Sequence, residues 1–217
     1  MPQGYVKAAD LPQVIPVFPL DGVLLLPRGQ LPLNIFEPRY LNMIDDAMAG
    51  DRVIGMIQTS GGQKARPLLA PVGCAGRITS FAETSDGRYL ITLTGAARFQ
   101  VMNELPAPSP YRQVRADFTC FEADLKAPPE DADFDRVRFL AALRAYLLHH
   151  SLDVDWETAQ AAPEEALVNS LSMALPFDAA EKQALLQADG LQVRRETLTA
   201  LLEIDAAENT DEPPSLQ

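Results

Sequence analysis

The sequence has few of the residues that build metal and nucleophilic sites, and it has no long hydrophobic run. Its 217 residues include two cysteines and two histidines. The aliphatic run from Val23 to Leu26 is far shorter than the roughly 18 apolar residues of a membrane-spanning helix. The N-terminal segment MPQGYVKAAD lacks the hydrophobic stretch of a secretory signal. These absences predict a cytoplasmic protein that does not enter a membrane.

Positive charge is also scarce. Lysine and arginine number 18 against 30 aspartate and glutamate residues, which gives a formal net charge of −12. Because such a chain repels phosphate backbones and anionic lipids, the composition disfavours nucleic acid and membranes as partners. The remaining composition, with 47% hydrophobic and 22% charged residues, is that of a globular protein with a packed core.

Motifs for catalysis and for cofactors are absent as well. Gly61-Gly62 is followed by Gln63-Lys64 without the spacing or the hydroxyl residue of a P-loop, so no phosphate-binding loop is encoded. The sequence contains neither G-x-S-x-G nor H-E-x-x-H. We therefore predict no catalytic residues, no metal site and no cofactor.

The cysteines and histidines leave one alternative open. His149 and His150 are adjacent, so on a helix they would lie about a hundred degrees apart, which predicts that they cannot both face one metal. Cys74 and Cys120 are expected to be reduced and buried. A cysteine and a histidine distant in sequence can still meet in space, so a small Cys-dependent hydrolase stays an alternative.

Residues 13–122 have the pattern of β structure. Strand patterns are predicted at 14–18, 31–35, 53–57 and 113–120, and the third is apolar enough to be buried on both faces. Pro16 and Pro19 predict that the first is an edge or irregular strand. Asp86-Gly87 predicts a β-hairpin. One helix is predicted to begin at Pro38 and to end at Gly50.

The remaining residues divide into a helical region and connecting segments. Four helices are predicted within 134–204, one of them opened by a capping box between Asp178 and Glu181. Residues 123–133 are predicted to form a linker, 1–12 a flexible N-terminus, and 205–217 an acidic, disordered tail.

Several motifs resemble a known family. The segments 15–20, 26–29 and 31–40 (IPVFPL, LPRG and LPLNIFEPRY) are similar to the opening of the N-terminal, substrate-binding domain of the Lon ATP-dependent proteases. Further similarity lies at 73–78, at 95–99 and from 174 to 202. The family-motif residues carried over, all expected to be structural, are Pro19, Leu20, Pro27, Pro32, Leu33, Phe36, Glu37, Pro38, Arg39, Tyr40, Gly76, Arg98 and Phe99.

The resemblance implies an α+β fold, with an N-terminal PUA-like β-barrel that holds one helix and a C-terminal four-helix bundle. No ATPase or protease module follows in this sequence, so we expect a stand-alone, non-enzymatic module. The implied partners are unfolded or exposed hydrophobic polypeptides, with a separate protease or ATPase as a further candidate, and the role is that of an adaptor or chaperone-like factor. The binding residues are unknown.

RNA binding is the alternative that the PUA-like fold raises, since such barrels bind RNA in other families. Arg112 and Arg115 would have to form part of a basic surface. Residues three positions apart in a strand point to opposite faces, so no basic stripe is predicted.

Glu37 has a more specific expectation. It precedes Pro38 and is therefore held in an extended conformation at the helix entrance. A carboxylate there can accept hydrogen bonds from the first-turn N–H groups. We expect Glu37 to be structural in this way.

Overall fold

A computed structural model describes residues 5–63, 66–106, 108–128 and 133–208. The strands are β1 (Val14–Pro19), β2 (Gln30–Ile35), β3 (Val53–Ile57), β4 (Thr59–Gln63), β5 (Arg66–Leu69), β6 (Val72–Glu83), β7 (Tyr89–Leu105) and β8 (Arg112–Asp117). The α-helices are α1 (Pro38–Ala49), α2 (Arg136–His149), α3 (Trp156–Ala161), α4 (Glu164–Ala174), α5 (Ala179–Gln187) and α6 (Gly190–Glu208). The fold is α+β.

Strands and α1 form one unit, the β lobe, which ends with a 3₁₀ helix at Thr119–Leu125. The main sheet has the order β2-β7-β6-β3-β1-β8, and β4 pairs with β5 in a separate ribbon. The long strand β7 also pairs with β8, so the sheet closes on itself through β6, β3 and β1. The tight turn between β6 and β7 contains Gly87 with φ of +78°, which confirms the predicted hairpin.

The prolines of β1 predict an edge or irregular strand, and the first of these alternatives is wrong. It lies between β3, with which it is parallel, and β8, with which it is antiparallel. Its first part, Val14–Val17, pairs with β8, and its last part, Val17–Pro19, pairs with β3. The prolines are accommodated because each neighbouring strand pairs with only part of β1, which agrees with the predicted irregular strand and not with an edge strand.

The core of the β lobe confirms the local patterns. All residues of β3 are buried, as its continuous apolar run predicts. Helix α1 buries the stripe Tyr40, Met43, Ile44 and Ala47 against the sheet, and Gly50 is its C-cap residue. The spacing of apolar residues at three and four positions predicts Tyr40, Leu41, Ile44, Ala47 and Met48 for this stripe. Leu41 and Met48 are only half-buried, and Met43 is buried in addition.

Helices α2–α6 form the second unit, the helical lobe. The four predicted helices are present, and the capping box between Asp178 and Glu181 is confirmed. The short helix α3 was not predicted; it is capped by Asp155, whose carboxylate accepts from the N–H groups of Glu157 and Thr158. A helix of 6 residues is too short to show a clear periodic pattern, which is why the sequence did not predict it. The helical lobe therefore contains α3 besides the four predicted helices.

Three predicted segment boundaries need correction. The linker does not begin at 123, because Asp124 is buried within the 3₁₀ helix. The N-terminal segment is not flexible throughout, since Leu11 is buried. Helix α6 continues to Glu208, beyond the predicted start of the tail at 205. The rest of the predicted tail, 209–217, lies outside the described residues.

The two lobes share a hydrophobic core. One cluster of buried side chains runs from Leu25 and Ile54 in the β lobe to Leu143, Leu185 and Leu198 in the helical lobe. No helix in the described part of the chain is long and apolar enough to cross a membrane.

Candidate functional site

A groove of about 460 Å³ opens on the β lobe at the start of α1. Its walls come from the end of β1, the start of α1, the β4–β5 ribbon and the segment that enters β8. The lining residues are Phe18, Pro19, Leu20, Asp21, Glu37, Arg39, Tyr40, Thr59, Pro67, Pro110, Tyr111 and Arg112.

Aromatic rings and prolines make up the apolar part of the groove. The rings of Phe18 and Tyr40 pack edge to face with their centroids 4.1 Å apart. The hydroxyl of Tyr111 donates a hydrogen bond of 2.6 Å to Asp46 Oδ2, which fixes this ring in the wall. Pro67 and Pro110 add rigid surfaces without N–H groups. The walls are therefore held in place before any ligand arrives.

Charged side chains lie along the rim. Arg39 forms an ion pair with Glu37, with 2.9 Å between Nη2 and Oε2, and its guanidinium lies 4.4 Å from the centroid of the Tyr40 ring. Both partners of this pair are about half exposed. Arg112 pairs with Glu104 at 2.7 Å and donates from Nη1 to the carbonyl of Pro67 at 2.8 Å. The rim can therefore offer hydrogen-bond donors and acceptors to a polar backbone.

The tyrosines of the groove remain neutral at physiological pH. Desolvation by burial raises the pKa of Tyr40, and burial together with the hydrogen bond to Asp46 raises the pKa of Tyr111. Thr59, which also lines the groove, donates its hydroxyl proton to Asp21. The groove thus contains neutral hydroxyl groups already engaged in hydrogen bonds or packing.

Glu37 does not act as predicted. It occupies the N-cap position of α1 with extended backbone, but its side chain makes no capping hydrogen bond. The carboxylate turns instead to Arg39, whose Nε donates to Oε2 at 3.0 Å. An ion pair two residues away competes successfully with the first-turn N–H groups, so the capping expectation is wrong.

Five family-motif residues, Pro19, Leu20, Glu37, Arg39 and Tyr40, line the groove, and the other eight lie outside it. Arg98 and Phe99 are buried in β7, and a Cβ added at Gly76 would lie 2.6 Å from Leu25 Cδ2. The carbonyl of Pro27 accepts a hydrogen bond from Asn169 Nδ2 in α4. The remaining members sit on β2 or at the entrance of α1: Pro32, Leu33, Phe36 and Pro38. Phe36 is 63% exposed.

The histidines and cysteines also depart from expectation. His149 Nδ1 and His150 Nε2 both approach the Asp205 carboxylate, at 3.1 and 2.9 Å, and these donor atoms lie within 4.8 Å of one another. His150 lies after the last residue of α2, so the angle of about a hundred degrees between successive helical residues does not apply to this pair. The prediction that the two rings cannot face one point was therefore wrong. The absence of a metal site stays a prediction.

Cys74 is buried, as expected, but Cys120 is exposed. Burial raises the pKa of the Cys74 thiol, which disfavours a thiolate there. Cys120 Sγ contacts Gln100, while both histidines contact Asp205. These contacts give the hydrolase alternative no support.

The sequence motifs include the residues of one wall of the groove but not those of the opposite wall. Pro19, Leu20, Glu37, Arg39 and Tyr40 come from the motif segments. The opposite wall comes from Thr59, Pro67, Pro110 and Tyr111, which meet the motif residues only through sheet pairing. The signal available was the clustering of proline and tyrosine just before β8.

Comparison with known proteins identifies the chain's relatives. Residues 14–203 match the family model of the ATP-dependent protease La (LON) substrate-binding domain. The Lon protease of Flavobacterium johnsoniae is 27% identical over 197 residues, which cover 85% of this chain and 23% of that protein. Lon protease 2 of Myxococcus xanthus is 32% identical over 119 residues, 54% of this chain and 14% of that protein. The chain thus spans less than a quarter of these relatives.

Two solved structures have a similar fold. The Lon N-terminal domain protein from Xanthomonas campestris superposes with a TM-score of 0.58 at 24% identity, covering 86% of this chain and 97% of that one. The N-terminal domain of Mycobacterium avium complex Lon protease gives a TM-score of 0.59 at 18% identity, covering 88% of this chain and 98% of that one.

Proposed function

The chain belongs to the family of ATP-dependent protease La (LON) substrate-binding domains, and from this premise we propose that it binds polypeptides in the groove of the β lobe. The proposed clients are unfolded or exposed hydrophobic segments. Family membership supports polypeptide binding in general, and the groove supplies a specific location for it.

One observation carries the location. Five family-motif residues from two separate chain segments line the same groove: Pro19, Leu20, Glu37, Arg39 and Tyr40. Their meeting at one open groove supports a binding role for this surface. The motif residues Pro27, Gly76, Arg98 and Phe99, by contrast, lie within the packed interior, and for these we propose a structural role.

The groove suits an extended peptide. Its volume of about 460 Å³ is within the range of about 300–1,000 Å³ that is typical of ligand pockets. Apolar client side chains would pack on Phe18, Leu20 and the prolines, while the backbone amides and carbonyls would meet the Glu37 and Arg39 side chains. A client that loses conformational entropy on binding should bind weakly, on the order of micromolar.

The proposed role is non-enzymatic. Among the described residues, the groove lining includes no histidine, cysteine, serine or lysine. The Thr59 hydroxyl in this lining donates to the Asp21 carboxylate, and no histidine is among the described lining residues to act as its general base. We propose that the module acts as an adaptor or chaperone-like factor, with a separate protease or ATPase receiving its clients, in the cytoplasm.

A binding titration tests this proposal with two matched arginines. Arg39 and Arg88 are about equally exposed, each is paired at 2.9 Å with a nearby carboxylate, and each lies over an aromatic ring. Only Arg39 lines the groove. Arg39→Ala should weaken binding of a fluorescent, permanently unfolded polypeptide about fivefold, whereas Arg88→Ala should leave it unchanged.

A second variant tests the apolar part of the groove. Leu20→Glu places a charge among the client's apolar contacts and should abolish binding measurable up to about 100 micromolar. Binding by the unaltered chain should persist at raised salt because apolar burial drives it, and ATP should have no effect. Equal losses from Arg39→Ala and Arg88→Ala, or strong salt-sensitive binding of single-stranded RNA in place of the polypeptide, would exclude the groove as a polypeptide site.

A further inference from the structure

Two histidines and one aspartate come together on the helical lobe, and none of them lines the groove. His149 is the last residue of α2, His150 follows it directly, and Asp205 lies in α6, 56 positions after His149. Each of the three offers one possible ligand atom for a metal ion, and these atoms all lie within 4.8 Å of one another. We call these residues the His-His-Asp cluster.

The separations within the cluster suit a shared metal ion. His149 Nδ1 lies 3.1 Å from Asp205 Oδ1, and His150 Nε2 lies 2.9 Å from Asp205 Oδ2. With metal–ligand bonds of about 2.0–2.1 Å, two neighbouring ligand atoms are about 2.9 Å apart around an octahedral ion and about 3.3 Å apart around a tetrahedral ion. The side chains of the histidines are 39% and 30% exposed, so small rotations can bring both nitrogens to one ion.

Hydrogen bonds hold the cluster together without an ion. The same distances fit imidazole N–H groups that donate to the Asp205 carboxylate. A neutral imidazole carries one N–H, and this proton can sit on either nitrogen. Coordination by His149 Nδ1 and His150 Nε2 therefore places the proton on the other nitrogen of each ring, and no proton has to leave a neutral ring. The cluster is thus assembled before a metal arrives.

Aromatic packing orients the two rings. The buried ring of Tyr146 packs against His150 with the centroids 4.3 Å apart. His149 in turn packs edge to face on His150, with 4.7 Å between the centroids. A ligand ring that is already held in place loses less conformational entropy when it binds a metal.

Two carboxylates contribute negative charge close to the cluster. Burial, and then the charges of Asp205 and Glu181, raise the pKa of Tyr146 to about 12, so both carboxylates act on the ring that supports His150. The whole chain carries a formal net charge of −12. A cation is therefore attracted to this surface, and an anion is repelled.

The donor atoms select the class of metal. Ca²⁺ and Mg²⁺ prefer oxygen ligands, whereas imidazole nitrogen suits Zn²⁺, Co²⁺, Ni²⁺ and Cu²⁺. Zn²⁺ has no geometric preference from its d electrons, and two histidines with one carboxylate are among the ligand sets that bind it. Three protein ligands leave at least one position on the ion for water.

We propose that the His-His-Asp cluster binds a divalent transition-metal ion of the zinc type, which joins the end of α2 to α6. The sequence predicts no metal site because adjacent histidines diverge on a helix, and a zinc titration decides between that prediction and this proposal. The cluster is separate from the groove, so the proposal stands whether or not the groove binds clients.

Zinc titration of the full chain measures the binding. Isothermal calorimetry in a buffer that does not bind metals should show saturable Zn²⁺ binding with a dissociation constant on the order of 10 micromolar. At about 100 micromolar Zn²⁺ the melting temperature should rise by about 3–6 °C, because only the folded chain holds the three ligands together. Mg²⁺ and Ca²⁺ at the same concentration should leave the melting temperature unchanged.

Substitution of each ligand assigns the binding to the cluster. His149→Gln, His150→Gln and Asp205→Asn should each weaken Zn²⁺ binding at least about tenfold. The matched control is Glu203→Gln, which also removes a carboxylate of α6 that contacts α2, through Arg138, but lies outside the cluster. This variant should bind Zn²⁺ as the unaltered chain does. Each melting temperature is compared with and without Zn²⁺ for the same variant, and circular dichroism checks that each variant is folded.

Cobalt distinguishes the cluster from the exposed thiol of Cys120. Co²⁺ bound by nitrogen and oxygen should give visible absorption bands without the intense ultraviolet band of a cobalt–thiolate bond. Cys120→Ser should keep the full Zn²⁺ affinity. Absence of saturable Zn²⁺ binding, equal rises in melting temperature with Mg²⁺ and Zn²⁺, loss of binding in Cys120→Ser, or equal affinities of Asp205→Asn and Glu203→Gln would overturn the proposal.

Discussion

At the scale of single residues, the ion pairs of this chain range from buried to largely exposed. The side chains of Arg98 and Asp124 are 4% and 9% exposed, and Asp124 accepts from the backbone N–H, Nε and Nη2 of Arg98. Arg138 and Glu203 form an equally short pair of 2.8 Å that is 64% and 40% exposed. The same chemistry therefore has different energetic consequences, because breaking a buried pair leaves a charge that water cannot solvate.

This difference predicts the effect of matched substitutions. Asp124→Asn should lower the free energy of unfolding by about 3–5 kcal/mol, because Arg98 stays buried without a countercharge. Glu203→Gln should lower it by less than about 1 kcal/mol, because water solvates the exposed Arg138. Urea unfolding followed by circular dichroism measures both. Similar losses in the two variants would show that Arg98 reaches solvent.

Local signals predicted the elements better than they predicted how the elements meet. The bounds of α1, the buried strand β3 and the capping box of α5 follow from residues near each other in sequence, and each was found. The position of β1 inside the sheet depends on partners far along the chain, which the prolines alone could not reveal. The groove shows the same limit, since the motif identified Tyr40 but gave no indication that Tyr111 lies opposite.

At the scale of elements, the helix caps predict different losses of stability for two acidic N-cap residues, Asp178 and Glu37. Asp178 accepts from the N–H of Glu181, and Glu181 accepts in return from the N–H of Asp178. Asp178→Ala should therefore lower the free energy of unfolding by about 1 kcal/mol. Glu37→Ala should lower it by clearly less, because Glu37 makes no cap and its ion pair with Arg39 is half exposed. Thermal melts compare the two, and the opposite order would restore the capping role of Glu37.

The cap of α3 predicts a pH dependence. A hydrogen bond from the Thr158 hydroxyl, followed by the N–H groups of Thr158 and Glu157, lowers the pKa of Asp155 below its ordinary 3.8. The pKa of Asp155 is therefore lower in the folded chain than in the unfolded chain. At a pH above the unfolded-state pKa, the ionised carboxylate stabilises the fold. This contribution is lost as the pH falls through the folded-state pKa. Thr158→Val should flatten the decline in stability between about pH 5 and pH 2. An unchanged decline in this variant would argue against the cap.

Hydrogen bonds tie the lobes together at the scale of the whole molecule. Nη1 of Arg98 in the β lobe donates to the carbonyls of Leu186 and Ala188 at 3.0 and 2.6 Å. Gln58 Nε2 donates to the carbonyl of Ala179 at 2.9 Å. These bonds cross an interface that also contains the shared core. Each lobe therefore provides hydrogen-bond partners and apolar contacts for buried side chains of the other.

This interlocking predicts that the lobes unfold together. Separating them would expose the shared apolar core, and it would leave the Arg98–Asp124 pair without the carbonyl acceptors that complete its buried hydrogen bonds. The helical lobe alone is also near the size at which one core gives marginal stability. Calorimetry should therefore show one transition with equal calorimetric and van't Hoff enthalpies. Two separate peaks, or a chain truncated after Ala127 that keeps native stability, would show that the β lobe folds independently of the helical lobe.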